Sequence, residues 1–363
     1  MKTLFVADIC PTVHTENYFA AGDTETLFGD TIPLFHNCDF SFANLECAIT
    51  EHDVGIKKFG PCLKAPLKTS DVLKDLKISL VGISNNHVFD FGKKGALDTI
   101  AAFNEKGLAY TGFGDNYEDS RKNYYFEKDG EKICIVAVCE HEYSYALEDR
   151  MGSRPFDEFE TIEDIREAKA NADRVIVAYH GGKEYCEYPS PRLMSACRAM
   201  ARAGADLILT QHTHCIGTYE KYGDSHIVYG PGNFNFVKPE NGPMWETGLA
   251  VEYDTKTNEI EFIPVRTGEH GISLAKSEDK EEILAGFAKR SETIINGKWR
   301  EGWREFCFSE KITRCYMSVI KRACVDGATE EDNHLFAHYL DCEAHSDVWR
   351  EFFPTYNMTN EKD

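Results

Sequence analysis

Five short apolar segments of the chain each end in a cluster of polar side chains that can bind metals. Each segment has the length and the aliphatic and aromatic content of a buried β-strand. The segments and their clusters are 3–7 before Asp8, 40–43 before 44–46, 78–83 before 84–87, 174–179 before 180–184, and 207–210 before 211–214. Ligands of open α/β sheets bind at the carboxyl ends of strands, so these clusters can meet in space. The pattern predicts a metal-dependent hydrolase or a descendant of one.

Size and charge limit the remaining classes of protein. A chain of 363 residues with 42% hydrophobic residues can bury one large core or two smaller ones. The net charge of −21 argues against nucleic acid as a partner, because phosphates would be repelled. An anionic small molecule or polymer stays compatible with that charge, since a cation in the site would reverse the local field. The sequence names no protein partner.

The sequence predicts a cytoplasmic protein. No apolar run is long enough to cross a bilayer, and the apolar start of the chain stops at Asp8, too early for a secretory signal. The thirteen cysteines are odd in number and show no two-residue spacing typical of zinc or redox motifs. We therefore expect buried, reduced thiols.

The coarse secondary structure is α/β with a helical C-terminal extension. Residues 161–214 read as helix and strand in alternation, which predicts parallel neighbours and a right-handed crossover. We expect a core domain over residues 1–275 and an extension of three to five helices over 276–363, with a frayed tail from Asn357. The predicted elements are helices over 93–106, 161–172 and 190–203, a hairpin over 122–139, and antiparallel strands over 226–229, 247–253 and 259–265.

Six side chains in these clusters are candidate metal ligands. They are carboxylates, a carboxamide and imidazoles: Asp8, Glu46, Asn86, His180, His212 and His214. Mixed oxygen and nitrogen donors suit Mn, Fe or Zn, and six ligands suit two divalent metal ions better than one catalytic zinc. In an extended chain residues two apart share a side, so His212 and His214 can face one site.

His87 and Asp90 are the candidate catalytic residues. Asn86 can bind a metal while the adjacent His87 faces the substrate. Asp90 lies three residues further on, where the start of a helix would bring it beneath His87. A carboxylate in that position orients an imidazole and raises its basicity.

Several residues near these clusters are candidates for substrate binding. Lys57, Lys58 and Lys64 belong either to a solvated loop or to a site for carboxylates or phosphates. Arg192 can grip a carboxylate at two points, and Glu184 is either close behind the metals or on the surface. Asn233, after Pro231-Gly232, is a loop-shaping residue first and a substrate contact second. Eight other histidines are interpreted as structural: His14, His36, His141, His226, His270, His334, His338 and His345.

The clusters, taken together and in order, resemble the capsule-synthesis CapA family. The motifs are Asn44-Leu45-Glu46, Ser84-Asn85-Asn86-His87 with Asp90, His180-Gly181-Gly182-x-Glu184, Gln211-His212-Thr213-His214 and Gly232-Asn233-Phe234. That family is linked to poly-γ-glutamate production and falls within the calcineurin-like metallophosphatase superfamily. The resemblance covers residues 2–268. It implies a metallophosphatase-like four-layer sandwich, in which two mixed β-sheets are flanked by helices and the metals lie at the strand ends.

The resemblance also implies a role for each ligand. Asp8 and His214 would bind the first metal, Glu46 would bridge both, and His87 would donate a proton to the leaving group. Asn86, His180 and His212 would bind the second metal. The wider superfamily has histidine where this chain has Cys10, so the first site lacks one ligand. A Cys10 thiolate, His14 or water are the alternatives for that position.

The leading hypothesis is a metal-dependent hydrolase that cleaves a phosphoester or an amide in a glutamate-containing polymer. Two cations would hold a hydroxide and polarise the scissile bond. The Cys10 departure motivates an alternative of another class, a non-catalytic factor that binds or assembles a poly-γ-glutamate type polymer. A metal-dependent peptidase is the third hypothesis.

Overall fold

A computed structural model describes residues 1–354 of the chain. The tail predicted to fray, Asn357 to Asp363, lies outside the described residues. The strands are β1 (Lys2–Ile9), β2 (Phe40–Leu45), β3 (Ala48–Ile49), β4 (Lys64–Ala65), β5 (Leu80–Gly82), β6 (Tyr110–Thr111), β7 (Phe113–Gly114), β8 (Tyr124–Lys128), β9 (Glu131–Cys139), β10 (Gly152–Ser153), β11 (Arg174–His180), β12 (Leu207–Gln211), β13 (Ile216–Tyr222), β14 (Ser225–Pro231), β15 (Thr247–Asp254), β16 (Glu259–Thr267) and β17 (Ile272–Leu274).

The helices alternate with the strands in the first part of the chain and follow one another in the last. They are α1 (Glu16–Ala21), α2 (Thr24–Phe28), α3 (Ile32–His36), α4 (Thr69–Asp75), α5 (Gly92–Lys106), α6 (Tyr117–Ser120), α7 (Glu160–Asn171), α8 (Pro191–Ala203), α9 (Ser277–Asn296), α10 (Trp299–Cys307), α11 (Glu310–Ala323), α12 (Glu330–Asp341) and α13 (Glu343–Phe352). The predicted helices at 93–106, 161–172 and 190–203 are confirmed as α5, α7 and α8, and the predicted hairpin as β8 and β9.

Two large mixed sheets pack face to face. The first has the strand order β17-β16-β15-β1-β2-β5-β6, and the second has the order β13-β14-β12-β11-β9-β8. Phe5 and Phe42 of the first sheet share a buried cluster with Ile135, Ile176 and Leu209 of the second. Alternating apolar side chains on the inner face of each sheet therefore form the central core.

Helices cover the outer faces of both sheets. On the first sheet, Leu73 of α4 and Phe103 of α5 pack against Val81. On the second, α7 and α8 bury residues such as Ile165 and Met200 against the sheet. The predicted sandwich of two mixed sheets flanked by helices is confirmed.

The direction of β14 corrects one prediction. The segment 226–229 was expected to be antiparallel, but β14 runs parallel to its neighbour β12. The reason is β13, a strand that the sequence analysis missed. It reverses the chain after β12 and pairs antiparallel with β14 at the edge of the sheet, so the next reversal restores the direction of β12.

The C-terminal part of the described chain is helical, as predicted. Phe287 of α9 packs against Ile216 of β13. Trp303, Tyr316 and Tyr339 build a separate buried cluster among α10 to α12. The division into domains at residue 275 stays a prediction. Over residues 1–354, helices with both the length and the apolar character of a membrane span are absent.

The register of the strands aligns the polar clusters. His180, at the end of β11, lies opposite Cys139 of β9 and Gln211 of β12. In the other sheet, Asp8 lies opposite Asn44 of β2, just after an irregularity in the pairing of β1. The polar residues that end these strands therefore lie along one edge of the sandwich.

Candidate metal centre

Ligand atoms from distant parts of the chain meet at this edge in three overlapping groups. Within each group, one atom per residue lies within 4.8 Å of the others. The groups are Glu46 with His180 and His212, Asp8 with Glu46 and His214, and Glu184 with His212 and His214. Glu46 belongs to the first two groups, which is the position that a carboxylate shared by two metals would occupy.

Glu46 is buried without any hydrogen-bond partner. Its side chain is 0% exposed, and neither Oε1 nor Oε2 has a partner among the described residues. Burial raises the pKa of its carboxyl well above the ordinary value, and the negative charge of Asp8 adds to the shift. A buried, unpaired carboxylate is costly, and a cation would satisfy it.

The spacing around Glu46 leaves room for such a cation. Its Oε1 lies 3.4 Å from Nε2 of His180 and 3.8 Å from Nε2 of His214. Two atoms bound to one metal ion at about 2.1 Å each lie roughly 3 to 3.5 Å apart. The donor set and its spacing therefore fit divalent metal ions.

Asn86, the sixth predicted ligand, lies beside the first group. Its Oδ1 is 3.0 Å from Nε2 of His180. Burial lowers the pKa of His180 and, more strongly, that of His212, so both imidazoles are neutral, which is the form that binds metals. His212 Nδ1 is buried and, within the described chain, has no hydrogen-bond partner.

Hydrogen bonds from neighbouring residues fix the orientation of two ligands. Asn44 donates through Nδ2 to Oδ1 of Asp8 at 2.7 Å. The Oδ1 of Asn233 lies 2.9 Å from Nδ1 of His214, and its Nδ2 donates to the Trp245 carbonyl at 3.1 Å. Such contacts to the second nitrogen select the tautomer of a ligating histidine. The structure thus places Asn233 behind the cluster.

His212 and His214 reach the centre through left-handed backbone. The φ angles are 75° at His212 and 53° at His214, a region that non-glycine residues rarely adopt. The expected extended geometry is therefore wrong, because β12 ends at Gln211 and both histidines lie in the turn that follows. Backbone strain of this kind is typical of functional sites.

His87, Asp90 and Lys58 form a compact group beside the ligands. Nδ1 of His87 lies 2.6 Å from Oδ2 of Asp90, and Lys58 donates to Oδ1 of Asp90 at 2.6 Å. Burial, together with the charge of Lys58, lowers the pKa of His87 to about 4 despite the nearby carboxylate. The side chain of Lys58 is only 3% exposed, so its ammonium is buried although the flanking residues of the loop are exposed.

The structure does not bring Cys10 or His14 into the cluster. Cys10 belongs to none of the candidate groups among residues 1–354, and its Sγ lies 3.5 Å from the Pro11 carbonyl. Burial raises the pKa of its thiol well above the ordinary value, which disfavours a thiolate. His14 Nε2 lies 3.2 Å from Oε2 of Glu240. Neither Cys10 nor His14 therefore joins Asp8, Glu46 and His214 among residues 1–354.

Three other predicted substrate-binding residues are held in ion pairs. Lys57 pairs with Glu330 at 2.9 Å, and Lys64 pairs with Asp53 at 2.5 Å. Arg192 is held in buried ion pairs with Glu140 at 2.6 Å and Asp347 at 2.9 Å, so its guanidinium already has two carboxylate partners.

Glu184 is the candidate that does lie at the metal ligands. It belongs to one candidate group, 4.0 Å from Nε2 of His212, and its side chain is 39% exposed. The structure therefore places it at the open side of the centre.

Three residues at this edge were not predicted from the sequence. Glu140 and Glu142 follow β9, and Oε2 of Glu142 lies 3.7 Å from Nε2 of His212. The signal was present, because β9 is also an apolar run that ends in polar residues. His338, interpreted as structural, lies on α12 with its Nε2 3.5 Å from Oε1 of Glu142. No local pattern in the sequence distinguishes it.

Comparison with known proteins agrees with these observations. The model of the family described as "Bacterial capsule synthesis protein PGA_cap" matches residues 2–238. The chain belongs to this family. The match to PGA_cap includes all of the candidate ligands, while α9 to α13 lie beyond it.

Two similar proteins come from Bacillus species. The chain is 30% identical over 271 residues to "Capsule biosynthesis protein CapA" of Bacillus anthracis, which is 72% of this chain and 65% of that protein. It is 30% identical over 264 residues to "PGA biosynthesis protein CapA" of Bacillus subtilis, which is 71% of this chain and 68% of that protein. The matches thus span about two thirds of these relatives.

A solved structure is also similar in its backbone. The crystal structure of 5'-nucleotidase from Candida albicans matches with a TM-score of 0.43 and 12% identity, over 84% of this chain and 56% of that chain.

Proposed function

We propose that this PGA_cap protein is a metal-dependent hydrolase that acts on a phosphoester or on a glutamate-containing polymer. The observation that carries the proposal is Glu46, a fully buried carboxylate without a hydrogen-bond partner in the described chain, shared by two groups of ligands. Asp8, Glu46 and His214 would hold one divalent cation. Glu46, His180 and His212, with Asn86 beside them, would hold the second. The donors suit Mn, Fe or Zn.

Side chains beside the proposed cations would transfer a proton and orient the ligands. The chemistry supplied by bound cations is Lewis acidity, which lowers the pKa of water and polarises a phosphoryl or carbonyl oxygen. His87 would donate the proton to the leaving group from Nε2, in the protonated form that its pKa of about 4 makes a minor one at neutral pH. Asp90, 2.6 Å from Nδ1, fixes the ring in that orientation. Asn44 and Asn233 keep Asp8 and His214 in orientation.

The substrate part of the proposal is supported by the names of the relatives. Both Bacillus proteins are named for capsule or PGA biosynthesis. A γ-linked glutamate chain carries one carboxylate per residue, and cations in the centre would offset the repulsion from a chain of net charge −21. We also propose a reducing compartment, the cytoplasm, because all thirteen cysteines lie in the described range and are free thiols.

Metal analysis and two assays test the proposal. Purified protein would be analysed for bound Mn, Fe and Zn, then assayed on p-nitrophenyl phosphate and on γ-glutamyl peptides. His212→Ala should lose metal and turnover together. His226→Ala is the matched control, because His226 is buried to a similar extent, 4% against 5%, but lies away from the ligands. Wild-type protein that binds no metal and cleaves neither substrate would contradict the proposal.

The position of Cys10 favours one alternative function, a polymer-binding or assembly factor without turnover. Because Cys10 is outside the candidate groups, the group around Asp8 has three carboxylate or imidazole ligands among residues 1–354. Binding of poly-γ-glutamate without cleavage, unchanged by His87→Ala, would support the alternative. Loss of turnover in that variant would exclude it.

A further inference from the structure

A cleft opens beside the metal centre, between the PGA_cap core and the C-terminal helices. Its volume is about 690 Å³, within the range that holds a small organic molecule. Phe89, Tyr143, Tyr145 and Arg150 line it from the core, and Ala337 and His338 line it from α12. The family match ends at residue 238, so α12 lies outside the matched part of the chain.

Glu142 connects the cleft to the metal ligands. Its carboxylate lines the cleft, and its Oε2 is 3.7 Å from Nε2 of His212. Glu142 therefore lies between the cleft and the ligand set, and a molecule in the cleft is one side chain away from His212. Tyr143, the next residue, has a φ of 51°, so the chain is held in a rarely used conformation at this junction.

Helix α12 is fixed against the core at this place. The His338 ring stacks on the Tyr143 ring with centroids 5.0 Å apart and planes 18° apart. Its Nε2 lies 3.5 Å from Oε1 of Glu142. At the start of the helix, Glu330 accepts from Lys57 at 2.9 Å. Helix α12 thus forms one wall of the cleft and contacts the core through His338 and, at its start, through Glu330.

Arg150 lines the cleft, and its guanidinium carbon lies 5.6 Å from the ring centroid of Phe89 and 5.4 Å from that of Tyr145. Among the described residues it makes no ion pair. Its Nη2 donates to the carbonyls of Tyr143 and Tyr145, and its Nε is buried without a partner. A guanidinium without a carboxylate is suited to an oxyanion of a ligand, either carboxylate or phosphate.

We propose that this cleft is the ligand-binding cleft of the metal centre, that Arg150 binds an oxyanion of the ligand, and that α12 confines the ligand from the side of the C-terminal helices. The aromatic side chains of Phe89, Tyr143 and Tyr145 contact the apolar part of the same molecule. This inference rests on the proposed function for the identity of the centre, and it adds the residues that select the ligand. Ligand preference therefore depends on α12, a helix that lies beyond the residues matched by the family model.

Binding measurements test the cleft separately from turnover. Metal-loaded full-length protein would be titrated calorimetrically with phenyl phosphate and with γ-glutamyl-glutamate, which distinguish phosphate from carboxylate recognition. Ala337→Trp places a large ring on the exposed cleft side of α12, and Arg150→Gln removes the charge. Each variant should raise the Kd for the probe that the wild type binds at least tenfold, and its metal content should be unchanged. Ala288→Trp and Arg314→Gln, at exposed positions of α9 and α11, are matched controls that should leave the Kd unchanged.

The outcomes separate the two proposals. Unchanged affinity in both Ala337→Trp and Arg150→Gln would overturn the proposed ligand-binding role of the cleft. A wild type that binds neither probe would overturn it as well. Binding without hydrolysis that depends on Ala337 and Arg150 supports the cleft and contradicts the hydrolase. Hydrolysis that both variants leave unchanged contradicts the ligand-binding role of the cleft and supports the hydrolase proposal. Since Ala337 is exposed, its variant reports on the cleft even where Arg150→Gln perturbs the 143–145 backbone.

Discussion

Nη2 of Arg192 lies 2.6 Å from Oε1 of Glu140, and this buried pair joins the metal edge to the C-terminal helices. The same carboxylate accepts hydrogen bonds from the Gly182 backbone at 3.2 Å and the Ala344 backbone at 3.0 Å. A Cβ at Gly181 would lie 2.7 Å from Cγ of Glu140, so only glycine permits this close approach. One carboxylate thus holds both the turn after His180 and the start of α13.

We therefore expect Arg192→Met to destabilise the protein strongly. The substitution keeps the apolar stem but leaves Glu140 and Asp347 buried without their cation. Breaking a buried pair in this way costs about 3 to 5 kcal/mol. The free energy of unfolding in urea measures the effect. Arg198→Met, on the same helix, removes a guanidinium that is 31% exposed and leaves its partner Glu220 the hydrogen bond from the Tyr229 hydroxyl, so it should cost less. Equal losses of unfolding free energy in the two variants would contradict the stabilising role of the buried Arg192 ion pairs.

Glu46→Gln should affect stability in opposite directions with and without metal. In metal-free protein it removes a buried carboxylate that lacks a partner, so the free energy of unfolding should rise. With metal at a hundred times the Kd, wild type gains about 2.7 kcal/mol, and the variant should gain much less. Thermal unfolding with and without a chelator measures both effects. Glu51→Gln, at an exposed position nearby, should show neither. An equal response of Glu46→Gln and wild type to metal would contradict the predicted ligand.

His87→Asn should lower kcat on the order of a hundredfold, because proton transfer to the leaving group is lost. Bound metal should not change, since no candidate group includes His87 in the described chain. Steady-state kinetics and metal analysis on the same samples separate the two effects. His36→Asn, at a histidine outside the centre, is the control. Loss of metal in His87→Asn would assign the residue to the ligands instead.

The pair of His141 and Glu343 should make stability depend on pH. Burial lowers the pKa of His141, but the hydrogen bond and charge of Glu343 outweigh it and raise the pKa above the ordinary value. The stabilisation is therefore full below about pH 6.5, the unfolded value, and is lost as pH rises through the folded pKa. Glu343 has a lowered pKa and stays ionised in this window.

His141→Gln should thus cost about 1 kcal/mol at pH 5.5 and less at pH 9. Urea unfolding of both proteins at the two pH values measures the difference, with His36→Gln as the control. A cost that grows between pH 5.5 and pH 9 would have the wrong sign for this pair.

The strands and long helices could be predicted from the sequence because their signals are local. Buried strands such as β11 are continuous apolar runs, and α8 begins with Ser190 and Pro191, whose cap and fixed φ start a helix. The short helices α1 to α4 were missed because five to seven residues carry too few turns to show a period. β13 was missed because three of its seven residues are polar or charged.

The candidate site was predictable only in part. Ligands at strand ends follow from sheet geometry, and the structure gathers Asp8, Glu46 and the three histidines accordingly. The roles of Arg192 and His338 depend on how the C-terminal helices dock, and no local pattern records that. His212 and His214 adopt positive φ angles in the turn after β12, whereas the sequence period placed them in extended chain.

The chain order of the centre has a consequence for how the protein is made. Every candidate ligand precedes residue 215, whereas α12 begins at Glu330. The ribosome therefore releases the complete ligand set before it synthesises the helix that confines the cleft. Cation uptake can accompany translation, and the growing polypeptide would meet its metal while the cleft is still open on one side.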